Sequence, residues 1–130
     1  MENSKILLNH AISALTSTSI ESSQWAIGGG TVLASYYNHR ISKDIDVFIN
    51  DAQYLSELSP RFNDECDSAL DYDEMSNYIS LTYMEGKVDF IAAGQLTQYQ
   101  PKLYNFFGRE VMLDDAVEIV AKKLYFRSDH

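Results

Sequence analysis

The stretch GGGTVLASYYNHRISKDIDVFI, residues Gly28–Ile49, decides the fold of this chain. Its last six residues predict an apolar strand in which Asp44 and Asp46 share one face, since side chains at i and i+2 of a strand point the same way. Two carboxylates held about 5 Å apart repel by roughly 3 kcal/mol at an effective dielectric constant near 20. A strand that accepts this repulsion usually has a cation to neutralise it, so the pair predicts a divalent-metal site.

The glycines of the same stretch lie between two predicted elements. Gln24–Ile27 is typical of a short strand, and Thr31–Tyr37 is typical of the helix that follows it. Glycine permits positive φ and has no Cβ, and a helix N-terminus leaves backbone N–H groups pointing outward. The turn therefore predicts a phosphate site, at the same sheet edge as the two aspartates.

A third carboxylate lies further along the chain. Ile79–Met84 and Lys87–Ala92 predict a β-hairpin, and Asp89 interrupts the apolar run of its second strand. An aspartate there is either an exposed residue of an edge strand or a metal ligand. The neighbouring Asp-x-Asp strand favours a metal triad of Asp44, Asp46 and Asp89.

These motifs resemble the AbiEii/AbiGii toxin-type nucleotidyltransferases, a branch of the DNA polymerase beta-like superfamily. The resemblance implies an α+β nucleotidyltransferase fold, with a small mixed sheet and flanking helices. It also implies transfer of a nucleoside monophosphate from a nucleoside triphosphate to an acceptor hydroxyl, with Mg²⁺ or Mn²⁺ as cofactor. The glycine-pair, Thr-x-Leu and Arg-x-Ser-x-Asp-x-Asp pattern is matched at Gly29, Gly30, Thr31, Leu33, Arg40, Ser42, Asp44 and Asp46.

The resemblance also assigns roles to these residues. Asp44 and Asp46 would hold two metal ions and Asp89 one of them, while Gly29, Gly30, Thr31, Arg40 and Ser42 would bind the nucleotide. The segment Ala121-Lys122-Lys123-Leu124 is similar to the family's lysine helix, which places the catalytic lysine at Lys123, with Lys122 as the alternative. The family implies a toxin whose acceptor is RNA, with transfer RNA as one candidate, and an antitoxin partner.

The chain departs from the family after this helix. An Arg-Asp-x-x-Asp segment and a further helical region follow the lysine in the family, and this sequence ends at His130 before them. The chain is then either a fragment or a minimal member. The alternative function is a catalytically silent subunit that binds nucleotide or a partner in a toxin–antitoxin or phage-defence system. The retained carboxylates argue against this alternative, because a silent site gains nothing from their repulsion.

Length and composition favour one cytoplasmic domain over residues 1–130. No stretch approaches the roughly twenty apolar residues of a membrane span, so we expect no membrane association. Cys66 is the only cysteine, which excludes an intrachain disulfide and suits a reducing compartment. A metal-dependent phosphohydrolase would need a histidine-rich site, and the chain has three histidines.

The net charge of −9 is concentrated in the middle of the sequence. Residues 44–90 carry two Lys/Arg against twelve Asp/Glu, whereas residues 1–43 carry three against two and residues 91–130 carry five against five. Such a protein repels nucleic acid at long range, so an RNA acceptor would have to be held by local basic groups.

The pattern near the C-terminus predicts a last hairpin and a helix. The hairpin is expected within Phe106–Leu113, and Asp115 with Glu118 predicts a capping box at the start of the helix. The spacing of the apolar residues predicts that one helical face packs on the core. That face comprises Val117, Val120, Ala121 and Leu124.

Overall fold

The computed structural model describes residues 2–37 and 44–128, and the side chains of 3–37 and 44–126. The described part holds three α-helices, three short 3-10 helices and one sheet of seven strands. The helices are α1 (Glu2–Thr16), α2 (Gly29–Tyr36) and α3 (Ala116–Ser128). The strands are β1 (Trp25–Gly28), β2 (Ile45–Ile49), β3 (Asp71–Glu74), β4 (Tyr78–Tyr83), β5 (Gly86–Ala92), β6 (Lys102–Phe106) and β7 (Arg109–Leu113).

The sheet is mixed, with the strand order β3-β4-β5-β2-β1-β7-β6. Two hairpins, β4–β5 and β6–β7, are antiparallel. The second begins at Lys102, earlier than the predicted Phe106. The central strands of the sheet also form parallel pairs, since β2 runs parallel to β5 and β1 runs parallel to β7. The short strand, glycine turn, helix and aspartate strand predicted from residues 24–49 are all present as β1, α2 and β2.

The hydrophobic core lies between the sheet and α1. Side chains alternate between the two faces of a strand, and on β2 and β5 the alternate residues Ile45, Val47, Ile49, Val88 and Phe90 are fully buried. They pack with the buried apolar side chains of α1, which include Leu7, Leu8, Ala11 and Leu15. The intervening residues of the same strands, including Asp46 and Asp89, therefore lie on the opposite face. That face is the one beside α2 and α3.

The helix α3 packs differently from the prediction. Val117, Val120 and Leu124 are exposed by 45–63%, so the predicted core face was wrong. The buried positions are instead Glu118, Ile119 and Lys122. Two contacts account for this orientation of α3. Ile119 is buried in the core, and the ammonium of Lys122 forms an ion pair with the buried Asp114 beneath the helix.

The predicted capping box is half correct. The Asp115 carboxylate accepts the backbone N–H of Val117 at 2.8 Å, as an N-cap should. Glu118 does not return to the cap, because its carboxylate accepts hydrogen bonds from the segment 95–97. This segment is thereby tied to the start of α3.

Candidate active site

The site is built around two aspartates on neighbouring parallel strands. Asp46 of β2 is in register with Asp89 of β5, and on its other side Asp46 is in register with Gly28, the last residue of β1. Residues in register on adjacent strands share a face, so the two carboxylates lie side by side. The predicted partnership of Asp46 and Asp89 at the glycine turn is therefore present.

The Asp46 carboxyl lies in an unfavourable electrostatic environment for a negative charge. Burial, together with the charges of Asp89 and Asp44, raises its pKa from 3.8 to about 7. Burial also raises the pKa of Asp89, although a hydrogen bond from the Ser80 hydroxyl and the charge of Lys87 work in the opposite direction. Among the described residues, no cationic side chain forms an ion pair with either aspartate. A divalent cation between them would relieve the repulsion, so the pair fits such an ion.

Asp44 is placed differently from its two predicted partners. It precedes β2, and its Oδ1 accepts the backbone N–H of Lys87 at 3.1 Å. Within residues 2–37 and 44–128, no group of three or more His, Cys, Asp or Glu side chains is arranged to hold a metal ion. The metal triad of Asp44, Asp46 and Asp89 therefore stays a prediction, and one oxygen of Asp44 is hydrogen-bonded to the backbone of β5.

The glycine turn is in close contact with Asp46. Gly29 has φ of +75°, and a Cβ added to it would lie 1.9 Å from Oδ2 of Asp46. Only glycine permits both this conformation and this approach. A Cβ on Gly30, in contrast, would meet no atom within 4 Å. Gly30 therefore borders open space at the first turn of α2.

Thr31 forms a hydrogen bond with the residue that precedes β2. Its side chain is buried, and its hydroxyl donates to the backbone carbonyl of Asp44 at 2.5 Å. This hydrogen bond fixes the start of β2 against α2. The hydroxyl therefore serves the position of the aspartate strand, and Thr31 does not line the cavity described next.

A cavity of about 650 Å³ opens between the aspartate pair, the glycine turn and α3. One part of its wall carries the charged and glycine residues of the site, and the rest is largely apolar. The polar and glycine part comprises Gly29, Gly30, Asp46, Asn77, Tyr78, Asp89, Lys122 and Lys123. The apolar part comprises Leu33, Phe48, Ile91, Ile119 and Phe126. Volumes of this order hold a nucleotide-sized ligand.

The two adjacent lysines of α3 differ in their environment. Lys122 is buried, and its Nζ lies 2.8 Å from Oδ2 of Asp114 and 3.6 Å from Oε2 of Glu118. Lys123 also lines the cavity, but it is exposed and forms no ion pair with any described residue. The charge of Lys122 is thus neutralised within the protein, whereas that of Lys123 is available to a ligand.

Two predicted nucleotide-binding residues, Arg40 and Ser42, lie outside the described residues. The remaining predicted site residues are Gly29, Gly30, Thr31, Asp44, Asp46, Asp89 and Lys123, and all except Thr31 and Asp44 line the cavity.

Comparison with protein-family models matches residues 10–125 to "Nucleotidyl transferase AbiEii toxin, Type IV TA system". The chain belongs to the AbiEii nucleotidyltransferase family. This membership confirms the resemblance on which the sequence interpretation rests. No curated protein sequence gives a significant match.

Solved structures support the fold of this AbiEii protein. The antibiotic-resistance factor ANT(2'')-Ia superposes with a TM-score of 0.61 at 16% identity, covering 96% of this chain and 72% of that one. The lincosamide antibiotic adenylyltransferase LnuA, in its lincomycin-bound form, gives a TM-score of 0.59 at 12% identity, with 94% and 83% covered. The predicted α+β nucleotidyltransferase fold, with its mixed sheet and flanking helices, is confirmed. No described helix has the length and hydropathy required to cross a membrane.

The sequence interpretation of the AbiEii site missed its supporting residues. Ser80 of β4 donates to Oδ1 of Asp89 at 2.5 Å and fixes that carboxylate. Asp114 and Glu118 are both fully buried and together hold Lys122. Nothing in the local pattern around Asp114 distinguishes a buried carboxylate from an ordinary helix-capping one. For Ser80, the hairpin register across Glu85–Gly86 was a usable signal, since it places Ser80 opposite Asp89.

The buried network of Asp114, Glu118 and Lys122 joins α3 to the rest of the site. Burial opposes ionisation of Glu118, but hydrogen bonds from the Thr97 hydroxyl and from the N–H groups of Leu96 and Thr97 outweigh it and lower the pKa. The ammonium of Lys122 also lies 4.4 Å from the centre of the Phe48 ring. These contacts hold α3 at the cavity wall and so fix where Lys123 emerges.

Proposed function

We propose that this protein is a metal-dependent nucleotidyltransferase that moves a nucleoside monophosphate from a nucleoside triphosphate to an acceptor hydroxyl. The observation that carries the proposal is the register of Asp46 with Asp89 beside the Gly29 turn, inside a cavity of about 650 Å³. Family membership supports nucleotidyl transfer in general. The metal and the triphosphate are part of the proposal, and they are supported by the repelling carboxylate pair and by Lys123 at the cavity wall.

The nucleotide would occupy the cavity of about 650 Å³ beside the aspartate pair. Backbone N–H groups at Gly29 and Gly30 would donate to phosphate oxygens, which the missing Cβ at Gly30 leaves accessible. Lys123 would place a positive charge on the triphosphate, since Lys122 is already paired. The base would pack on the apolar wall formed by Leu33, Phe48, Ile91, Ile119 and Phe126.

Asp46 and Asp89 would hold the divalent cation, with Asp44 as a third ligand from the adjacent position. Mg²⁺ or Mn²⁺, when bound, would stabilise the negative charge that develops on the attacking and leaving oxygens. The protein contributes a carboxylate pair whose mutual repulsion favours cation binding. It also contributes Ser80, which keeps the Asp89 carboxylate oriented.

The family is described as the toxin of a type IV toxin–antitoxin system, and this description supports a proposal for the cellular role of the protein. We infer that the chain acts in the cytoplasm as the toxin of such a pair, with an antitoxin as its counterpart. The acceptor is the part of this reaction that the family description leaves open.

Calorimetric titration tests the proposed function. ATP, CTP, GTP and UTP are each added to the protein with Mg²⁺ and, separately, with EDTA. We expect at least one of them to bind only with Mg²⁺. We also expect its affinity to fall by about tenfold or more in Asp46→Asn, because this variant replaces a negatively charged carboxylate ligand with a neutral amide. Asp64→Asn is the matched control, because Asp64 is exposed and lines neither the nucleotide cavity nor any neighbouring one.

Two results would count against the proposal. Equal binding with Mg²⁺ and with EDTA would mean that the aspartates hold no cation. A folded protein that binds none of the four nucleotides would favour the alternative of a catalytically silent partner-binding subunit.

A further inference from the structure

The carboxylate of Glu118 accepts hydrogen bonds from a whole chain segment. Glu118 lies on α3, and its side chain is fully buried. Its Oε1 accepts the side-chain amide of Gln95 and the backbone N–H of Thr97, both at 2.9 Å, and the Thr97 hydroxyl at 2.6 Å. Its Oε2 accepts the backbone N–H of Leu96 at 2.9 Å. Donors from every residue of the segment 95–97 therefore converge on one side chain of α3.

These hydrogen bonds connect the strand that carries Asp89 to the helix that carries Lys123. The segment 95–97 follows shortly after Ala92, the last residue of β5, and Asp89 lies within that strand. Lys123 lies further along α3 than Glu118. The chain that leaves β5 is thus tied, within a few residues, to the helix that supplies the free lysine of the site. Glu118 is the side chain that makes this connection.

Lys122 extends the connection to the other strands of the site. Its Nζ lies 3.6 Å from Oε2 of Glu118 and 2.8 Å from Oδ2 of Asp114, the residue that follows β7. The same ammonium lies 4.4 Å from the centre of the Phe48 ring. Phe48 lies on β2, on the same face as Asp46. Glu118 therefore belongs to a buried cluster that contacts the elements on both sides of the aspartate pair.

The position of Lys123 depends on the helix that carries it. Lys123 is exposed and forms no ion pair with any described residue, so no ion pair of its own fixes its ammonium. The buried contacts of α3 lie instead at Glu118 and Lys122. A buried charge whose hydrogen bonds are all made loses much of their stabilisation when it moves, so these contacts permit little displacement of α3.

Resting on the proposed function, we propose that Glu118 is a positioning residue, which acts through α3 to hold Lys123 at the distance from Asp46 and Asp89 that a bound triphosphate requires. Glu118 does not line the nucleotide cavity, so it contacts neither the nucleotide nor the cation. Its influence should therefore be limited to the phosphates that Lys123 meets. Binding of a cation to the aspartate pair, which lies on the sheet, should not depend on it.

Glu118→Gln tests the proposal with little change in shape. Whichever way the new amide turns, its NH₂ group faces at least two donors that the carboxylate accepts, so the segment 95–97 should separate from α3. We expect the affinity for the best-binding nucleoside triphosphate, measured by calorimetry with Mg²⁺, to fall by about fivefold or more. About fivefold is the value of one ammonium held about 4 Å from a phosphate in water. Mn²⁺ alone, and the corresponding monophosphate, should bind as they do to the wild type.

A double-variant cycle distinguishes positioning from a general structural role. Lys123→Met should weaken triphosphate binding by a similar factor. In the Lys123→Met background, Glu118→Gln should add almost nothing, because the lysine through which it acts is absent. Two losses that multiply would overturn the proposal, since Glu118 would then affect binding by another route. Thr97→Val removes one hydroxyl hydrogen bond to Glu118 and should give a smaller loss with the same dependence on Lys123, which keeps the test decisive where Glu118→Gln does not fold.

Glu110→Gln is the matched control, because Glu110 is exposed and does not line the nucleotide cavity. An equal loss of affinity in this control would reduce the effect to the overall charge of the protein and overturn the proposal. Unchanged affinity in both Glu118→Gln and Thr97→Val, with weaker binding in Lys123→Met, would overturn it as well, while leaving the proposed function in place. A wild-type protein that binds no triphosphate would instead refute the proposed function itself.

Discussion

The carboxylate pair should make the metal-free protein less stable as the pH rises. The pKa of Asp46 is raised from 3.8 in the unfolded chain to about 7 in the folded protein, through burial and through Asp89 and Asp44. The folded state therefore retains the proton more strongly than the unfolded state does. The stability contributed by the Asp46 proton is fully present below pH 3.8, is lost as the pH rises from about 4 to about 7, and is absent above that window.

The magnitude follows from the size of the shift. A difference of one pKa unit corresponds to about 1.4 kcal/mol, so the ionised Asp46 costs the metal-free fold about 4 kcal/mol above pH 7. Between pH 5 and pH 8 the free energy of unfolding should drop by about 2 to 3 kcal/mol from this group. A single 130-residue domain has about 5–15 kcal/mol in total, so the change is readily measured.

The assay is urea unfolding in EDTA at pH 5 and pH 8, followed by circular dichroism, for the wild type and Asp46→Asn. The variant lacks the titrating group, so its loss of stability between the two pH values should be smaller by about 2 to 3 kcal/mol. Adding Mg²⁺ at pH 8 should restabilise the wild type and leave the variant almost unchanged. The same pH dependence in both proteins would refute the argument that Asp46 carries an unrelieved charge.

Further variants test other parts of the site. Gly29→Ala should lower the free energy of unfolding by about 1–3 kcal/mol, because Gly29 has a positive φ and its Cβ would collide with Asp46. Gly30→Ala should change it by less than about 0.5 kcal/mol, because a Cβ there meets no atom. Denaturant titration measures both changes. Lys122→Met should cost about 3–5 kcal/mol, because it leaves two buried carboxylates without their cation, and Lys123→Met should leave stability intact while weakening triphosphate binding in calorimetry. Ser80→Ala should raise the pKa of the neighbouring carboxyl group, which would appear as a shift of the acidic limb of the pH–rate profile to higher pH, and an unshifted limb would contradict the role given to its hydroxyl.

The local elements of the fold follow from short-range sequence patterns. The strand before the glycines, the helix after them and the hairpin through Glu85–Gly86 have distinct periodicities and turn residues, so they could be predicted. The pairing of β1 with β7 could not, because parallel pairing joins segments far apart in sequence and no local signal specifies it. Asp114 directly follows β7 in the sequence, and the pairing of β7 with β1 brings its buried carboxylate next to Gly28.

The candidate site was predicted in part for the same reason. Asp46, Asp89 and Gly29 could be predicted, because they follow from the alternation of apolar and polar residues along a strand and from the residues preferred in turns. Both are properties of one or two neighbouring elements. The contacts of Thr31 and Asp44 with backbone groups elsewhere depend on how α2 and β5 pack against β2, so the local sequence pattern did not indicate them. The predicted core face of α3 was wrong, because the spacing of apolar residues does not indicate that a buried Lys122–Asp114 ion pair determines which side of the helix faces the core.

A crystal structure with Mn²⁺ and a non-hydrolysable nucleoside triphosphate tests the central claim most directly. The account predicts an anomalous Mn²⁺ peak in contact with both Asp46 and Asp89, with the phosphates against the backbone of Gly29 and Gly30. A nucleotide bound elsewhere, or a peak that touches neither aspartate, would contradict the account.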